Sequence, residues 1–357
     1  MSVVIEPVAA DGAGETARGF RMLNLVISHR CNIKCRSCIN GDAQRSHIRL
    51  KDEEIIRVVD EVAVLGSVRK LHFSGGEPFL HFESMKAAAR HAKERYGWRS
   101  AATTSGYWAR SKEIALQKLS ELSDAGFRGL GLSIDEFHEE FLDLECIRNA
   151  LLAARELKLV CRIQTAVTRS SKTVEDYRQR LQVEAPELFR WQDVPCVPLG
   201  YAERDVDNGD FLLREGVPMG DCTMGATITV FPDGTVSLCS TSRQCAALTY
   251  GNIRAGSVPA MVESADADPA FNALMLWWGP RLLADQLAEA GDRSYAAGSY
   301  AHVCHACYAI MENRGTVDKL RRALAPLGDQ LREDRIAQRQ ALRGVAQRPP
   351  WTVARSG

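Results

Sequence analysis

From Met22 to Pro198 the apolar positions keep changing period. Met22–Ser28 (MLNLVIS) is a short apolar run that reads as a strand. Across Lys51–Leu65, residues Ile55, Val58, Val59, Val62 and Leu65 recur at helical spacing, with Asp52 as the N-cap. The alternation then repeats. Lys70–Phe73, Arg99–Ser105, Gly129–Ile134, Val160–Val167 and Phe189–Pro198 read as strands. His81–Tyr96, Lys112–Ala125, Leu142–Leu157 and a stretch after Thr173 read as helices. Successive βα units predict parallel strands with right-handed crossovers. The fold class is therefore α/β, a partial (β/α)6 TIM-like barrel, left open because the pattern stops after the sixth strand. In such folds chemistry gathers at the C-terminal ends of the strands.

After Pro198 the rhythm changes. Thr227–Ser240 (TITVFPDGTVSLCS) reads as a hairpin turning at Asp233-Gly234. Polar, Gly-rich connections are expected to about Ala301, then a helical, Arg-rich tail from Gly315 that forms a solvated face or a docking helix. The expected division is an N-terminal extension (1–21), the barrel (22–215), a small hairpin/helix unit (216–314) and the basic tail (315–357).

Composition narrows the class. Of 357 residues, 45 are Lys or Arg and 45 Asp or Glu, so the formal net charge is zero. Nucleic acid is not expected as a partner, since phosphate binding leaves a basic footprint. No apolar run approaches the ~20 residues of a membrane span, and the first residues do not read as a signal peptide. A cytoplasmic location is expected. There are 11 cysteines; in a reducing compartment they favour metal ligation over disulfides. Seven fall into two groups: Cys31, Cys35 and Cys38, then Cys222, Cys239, Cys304 and Cys307. Cys146, Cys161, Cys196 and Cys245 are left over, as small buried hydrophobes by default.

The first group sits in SHRCNIKCRSCINGDA, Ser28–Ala43, directly after strand one. A structural zinc site needs four ligands, for which His29 or His47 would have to join. A [4Fe–4S] cluster held by three thiols keeps one iron open to a small molecule. CX3CX2C after the first strand, with Gly75-Gly76-Glu77-Pro78 after the second, resembles the radical S-adenosylmethionine (radical SAM) family over roughly residues 22–200. The resemblance implies that S-adenosylmethionine chelates the open iron and, on reduction, yields a 5′-deoxyadenosyl radical that takes a hydrogen atom from the substrate. It implies that the carbonyls of Gly75 and Gly76, with Glu77, accept from the methionyl amine, and that Pro78 stiffens the turn. Ser105 would lie near the methionyl and ribose groups, Ser133 and Asp135 at the ribose hydroxyls, and Arg162, which shares a strand face with Gln164, at the methionyl carboxylate. The bland alternative is that these polar residues cap strand ends. Family members often carry an aromatic residue before the third cysteine; here it is Ser37, so adenine contacts are expected elsewhere.

The second group resembles the twitch arrangement, a short relative of the SPASM domain, in which four cysteines hold an auxiliary [4Fe–4S] cluster. The same four thiols would suit structural zinc, and Cys245 could replace one of them. The reaction is less defined. One expectation is oxidation, crosslinking or epimerisation of a ribosomal peptide. Another is a small-molecule, sugar-like substrate, and a third is a non-enzymatic iron–sulfur or zinc protein. Cys245 and Cys196 are candidate hydrogen-atom donors and His138 a candidate proton acceptor, with Tyr107 and Trp108 as possible pocket walls. A flavodoxin- or ferredoxin-like one-electron reductant is implied. Only about 21 residues precede strand one, so no separate leader-binding domain is expected.

Overall fold

The computed structural model describes residues 20–219, 227–239, 241, 245–276 and 278–346, with side chains to 338. The βα alternation is present as read: β1 (Met22–Val26), α1 (Asp52–Ala63), β2 (Lys70–Ser74), α2 (Phe82–Tyr96), β3 (Arg99–Thr104), α3 (Lys112–Asp124) and β4 (Phe127–Ser133). There follow α4 (Glu136–Glu139), α5 (Leu144–Glu156), β5 (Val160–Val167), α6 (Val174–Leu181) and β6 (Phe189–Pro195). Local chemistry sets the ends. In α1 the Glu54 carboxylate accepts from the Lys51 N–H at 2.9 Å, and three acids in the first turn complement the helix dipole. Ser111 caps α3, Asp143 caps α5, and α2 stops at Gly97, which is left-handed at φ 66°. Ile55, Val58, Val59 and Val62 of α1 are fully buried, each contributing about 1.5–3 kcal/mol.

Short α7 (Ala202–Asp205) and β7 (Arg214–Glu215) lead into β8 (Thr227–Val230), β9 (Thr235–Ser237) and β10 (Thr249–Asn252). The hairpin turns at Asp233-Gly234 as expected, with Gly234 at φ 85°. It does not stand apart from the barrel. β8 pairs in parallel with β1, setting Asn24 opposite Thr229, so the sheet has nine strands in the order β10-β9-β8-β1-β2-β3-β4-β5-β6.

The expected polar connections to Ala301 are largely helical instead: α8 (Val258–Asp266), α9 (Pro269–Leu274) and α10 (Gly279–Glu289). Each carries a proline in its first turn. Pro259, Pro269 and Pro280 start helices rather than break them, because the first-turn N–H has no intrahelical partner to lose. β11 (Ser299–Tyr300), α11 (Val303–Met311), α12 (Arg314–Leu324) and α13 (Gly328–Ala346) complete the chain. The helical tail is present, docked by a buried Arg335–Asp266 ion pair at 2.6 Å. No helix among the described residues is long and apolar enough to cross a membrane.

The strands separate two environments. Leu71, Phe73, Leu130, Leu132, Cys161 and Ile163 are buried in the core under the helices. The alternate positions, including Lys70, His72, Ser74, Thr103, Ser133, Arg162 and Gln164, are half-buried or exposed. A closed eightfold barrel fills its interior with packed side chains. This one leaves the inner face polar and accessible.

Candidate functional site

The cysteine loop leaves β1 at the C-terminal mouth of the barrel and is clamped there by backbone. Gly76 N–H donates to Ser28 O and Glu77 N–H to Arg30 O, both at 3.0 Å, and Tyr201 N–H donates to Cys38 O at 2.8 Å. Only glycine permits this approach. A Cβ at Gly76 would lie 2.1 Å from Arg30 O, and one at Gly75, which sits at φ +127°, would lie 2.5 Å from Ser28 O. Asn40 Nδ2 donates to Gly75 O at 3.1 Å, locking the two loops further.

Cys35 is buried and Cys31 and Cys38 are half-buried. Burial pushes the Cys31 thiol up to about 12, and the charges of Glu77, Cys35 and Cys38 push the same way against the Ile33 N–H. Burial raises Cys38 as well, opposed by N–H groups of Asn40 and Gly41 and by Gln44, whose amide donates to the sulfur at 2.9 Å. The three thiols therefore lie within electrostatic reach of one another in one short loop, with N–H donors around Cys31 and Cys38. Buried thiols that ionise poorly alone are stabilised as thiolates by a metal. Among the described residues no three His, Cys, Asp or Glu converge on a single metal ion. The donor chemistry fits a cluster with several irons, whose thiolate ligands stand around a cubane, and Cys31, Cys35 and Cys38 would hold it.

The polar residues around the loop are occupied in specific ways. Glu77 is buried, and its carboxylate accepts from Phe79 N–H (3.0 Å), Thr104 Oγ1 (2.8 Å), Ser105 N–H (2.9 Å) and Ser105 Oγ (2.7 Å). That fills a carboxylate's acceptor capacity, so Glu77 is engaged entirely by its own chain. Ser105 is thereby directed at Glu77. Pro78 opens a 3-10 turn whose Phe79 stacks on Trp108 at 4.2 Å. Asp135 is buried, caps α4 and accepts from His138 Nδ1 at 2.7 Å and Ala166 N–H at 3.4 Å. Burial opposes charge on His138, but Asp135 and a hydrogen bond to Cys35 outweigh it and raise its pKa. Cys196 packs with Cys35, Ile33 and Phe137, and its thiol is pushed up to about 12 by burial, then by Asp135 and Asp210. Ser133 ends β4 on the inner face. A pocket of about 360 Å³ lies beside the loop, lined by Asn32, Ile33, Tyr107, Arg110, Phe141 and Cys146 among others.

Deeper in the barrel lies a network the sequence reading did not single out. Thr103 Oγ1 stands 3.2 Å from His72 Nε2, and His72 Nδ1 lies 2.9 Å from Asn24 Oδ1. Asn24 Nδ2 donates to Thr229 Oγ1 at 3.2 Å, and Thr229 donates to Cys239 O. Burial, with the nearby charges of Lys70 and Arg162, lowers His72 to about 3. It is neutral, so Nδ1–H donates to Asn24 while Nε2 accepts from Thr103. The chain of bonds ties β3, β2, β1 and β8 to the second cysteine group. The polar alternation Lys70, His72, Ser74 within a strand was the available signal.

In that second group Cys222 lies outside the described residues. Cys304 and Cys307 are one turn apart on α11, and His302 Nδ1 accepts from Cys304 N–H at 3.2 Å. Buried Tyr308 feels the charges of Cys239, Cys245 and Cys307, and its hydroxyl bonds Thr241. Burial, then Cys239 and Glu312, pushes Cys245 up to about 12. Tyr308 thus lies within electrostatic reach of Cys239, Cys245 and Cys307.

An open parallel barrel with a glycine-clamped thiol loop at its mouth defines a class of cofactor-dependent α/β proteins. Residues 25–157 match the family described as the radical SAM superfamily, and this part of the chain is a radical SAM domain. YydG of Bacillus subtilis (strain 168), a protein named for peptide biosynthesis, is 26% identical over 136 residues, 38% of this chain and 42% of that protein. A GTP 3′,8-cyclase of Microcystis aeruginosa is 32% identical over 126 residues, 34% of this chain and 36% of the cyclase. The chain therefore spans about four-tenths of these relatives. The solved structure of native anSMEcpe with bound AdoMet shares the fold at a TM-score of 0.52 and 16% identity, over 88% of this chain and 99% of that one.

Proposed function

We propose that this protein is an enzyme that cleaves S-adenosylmethionine at a [4Fe–4S] cluster held by Cys31, Cys35 and Cys38 and modifies a peptide. One observation carries the reading: the loop with the three thiols is clamped by the Gly75–Pro78 loop at the mouth of an accessible polar barrel. When bound, the cluster supplies the electron that cleaves S-adenosylmethionine and so generates the radical that takes a hydrogen atom from the substrate. The chain's own residues position and shield. Gly75 and Gly76 bring backbone carbonyls to the loop, Glu77 and Ser105 fix that backbone, and Asp135 orients His138 toward Cys35. Ser133 and Asp135 are the candidates for ribose contact.

Similarity to YydG supports a peptide substrate. A second reading, a small anionic or nucleotide-like substrate, is supported by the similarity to the GTP 3′,8-cyclase. Cys239, Cys304 and Cys307, with Cys222 or Cys245, would hold an auxiliary cluster, which would supply one-electron chemistry there. The electron source would be a flavodoxin- or ferredoxin-like protein. Cys196 and Cys245 are the candidate hydrogen-atom donors. The outcome is oxidation, crosslinking or epimerisation.

Anaerobic reconstitution tests the reading. About eight irons per chain and 5′-deoxyadenosine formed on reduction are expected, with both iron and nucleoside reduced by Cys35→Ala. Mass spectrometry of candidate peptides in deuterated water separates a loss of two hydrogens from a gain of one dalton. Iron-free protein that binds zinc and forms no nucleoside would sink the reading.

A further inference from the structure

We propose that Asn24 is a positioning residue: acting through Thr229, it holds Cys239 in place from the inner face of the barrel. This rests on the reading above, in which Cys239 belongs to a ligand group that works with the barrel. Strand register puts the parts in one row. Asn24 of β1 stands opposite Thr229 of β8 on one side and opposite His72 of β2 on the other. Slipping β8 by one residue would bring Ile228 or Val230 beside Asn24 and break the row.

Asn24 and Thr229 are fully buried. The Asn24 oxygen takes two donors, His72 Nδ1 and Ser74 Oγ, each at 2.9 Å, which turns the amide nitrogen toward Thr229 Oγ1 at 3.2 Å. With that lone pair taken, the Thr229 hydroxyl gives its proton to the Cys239 carbonyl. Cys239 lies beyond Ser237, the last paired residue of β9. Its sulfur stands 3.8 Å from Thr241 Oγ1, and Thr241 bonds Tyr308, the neighbour of Cys307 on α11. The carbonyl of Cys239 is thus tied to the barrel, and its thiol to the helix that carries Cys304 and Cys307.

Stability alone does not call for an amide at this point of β1. A buried hydrogen bond contributes about 1 kcal/mol net, and apolar groups of like shape can replace both partners almost without loss. What a fully satisfied buried network adds is a fixed geometry. Here the part it fixes carries a thiol. The other end of the path is within reach of the barrel interior, since His72, Ser74 and Thr103 are half-buried on the inner face. A group that enters the barrel and accepts from Ser74 or His72 competes with the Asn24 oxygen for those protons. The amide then loses what orients it, and the effect is felt at Cys239.

Alkylation of the full chain with N-ethylmaleimide, before any iron is added and followed cysteine by cysteine by mass spectrometry, tests the role. Asn24→Leu and Thr229→Val should each speed modification of Cys239 about fivefold, the population change that one net hydrogen bond commands. Half-buried Cys146 on α5 and buried Cys161 on β5 lie off the path and should stay within about twofold of the parent. Thr229→Ser keeps the hydroxyl and should hold Cys239 within about twofold as well. His72→Leu touches neither Thr229 nor Cys239, yet should speed Cys239 about threefold, because only Ser74 is left to orient the amide. Asn24→Leu combined with Thr229→Val should be no faster than the single variants, since both cut one path. An unchanged or slower Cys239 in either single variant, an equal rise at Cys161, or effects that multiply in the double variant would overturn the proposal. The readout needs no cluster. A parent that forms no nucleoside removes the proposed reaction and not the positioning; an unaltered Cys239 beside normal nucleoside formation removes the positioning alone.

Discussion

Ser105 gives both its backbone N–H and its hydroxyl to one carboxylate oxygen of Glu77, at 2.9 and 2.7 Å. The other oxygen takes Thr104 and Phe79. This single buried side chain joins the end of β3 to the loop that clamps the cysteines. Glu77→Ala strands four donors in a dry site, and leaving a buried donor unsatisfied costs about 1–3 kcal/mol each before relaxation. A loss of about 3 kcal/mol or more in chemical denaturation is expected, with lower iron retention. Ser105→Ala removes one donor and should cost about 1 kcal/mol. Equal effects of the two would contradict the shared-acceptor arrangement.

Gly76 and Gly97 separate two reasons for glycine. At Gly97 a Cβ meets nothing within 4 Å, and only the left-handed φ of 66° resists substitution. Gly97→Ala should cost about 1 kcal/mol and leave iron content unchanged. At Gly76 a Cβ would lie 2.1 Å from Arg30 O and 2.3 Å from His29 O. Backbone cannot swing away as a side chain can, so Gly76→Ala must separate the two loops. Iron per chain after anaerobic reconstitution should fall by more than half, an order-of-magnitude expectation from lost preorganisation. Full iron loading in Gly76→Ala would refute the clamp.

What the sequence made legible follows from periodicity. The first six strands and their helices announced themselves because apolar stripes alternate at two clear spacings, as in Ile55-Val58-Val59-Val62. The thiol loop and Gly75–Pro78 were readable because they are contiguous. Three things were not. The pairing of β8 with β1 is a contact across some 200 residues that no local pattern encodes. The helices α8 to α10 hid behind first-turn prolines that look like breakers. The role of Glu77 depends on its meeting Thr104 and Ser105 at the end of the neighbouring strand, and strand register decides that.

The barrel and the C-terminal region are joined by a pH-sensitive contact. Arg254 Nε lies 2.6 Å from Glu54 Oε1, and Arg254 also donates to the Asp233 carbonyl. The Arg254 hydrogen bond, against some desolvation, lowers Glu54 from 4.5 to about 2. Its folded-state pKa is below the unfolded one, so it stabilises the fold fully above the unfolded value. That contribution fades as pH falls from about 4.5 toward 2. Arg254 is nearly half exposed, so solvent screening limits the effect to about 1 kcal/mol. Denaturation should show Glu54→Gln less stable than the parent at pH 7, the gap cut by about half at pH 3 and nearly closed at about pH 2. A constant difference across that window would remove Glu54 as the titrating group.

The tail helix α13 offers a last discriminating case, because its anchor is charged where apolar packing would be expected. Arg335 and Asp266 are 5% and 4% exposed, their closest atoms are 2.6 Å apart, and the guanidinium lies over the Phe271 ring at 5.4 Å. Desolvating two charges offsets most of their attraction, but removing one leaves the other buried alone, which costs about 3–5 kcal/mol. Asp266→Ala should therefore destabilise the protein by about that much and expose α13 to limited proteolysis. Asp266→Leu combined with Arg335→Met should recover most of the loss, since apolar groups of similar volume can replace a buried pair. If the double variant is no better than either single, the anchor is a specific electrostatic requirement. If instead Asp266→Ala leaves both stability and cleavage unchanged, α13 is held by its packing on α9 and not by this pair.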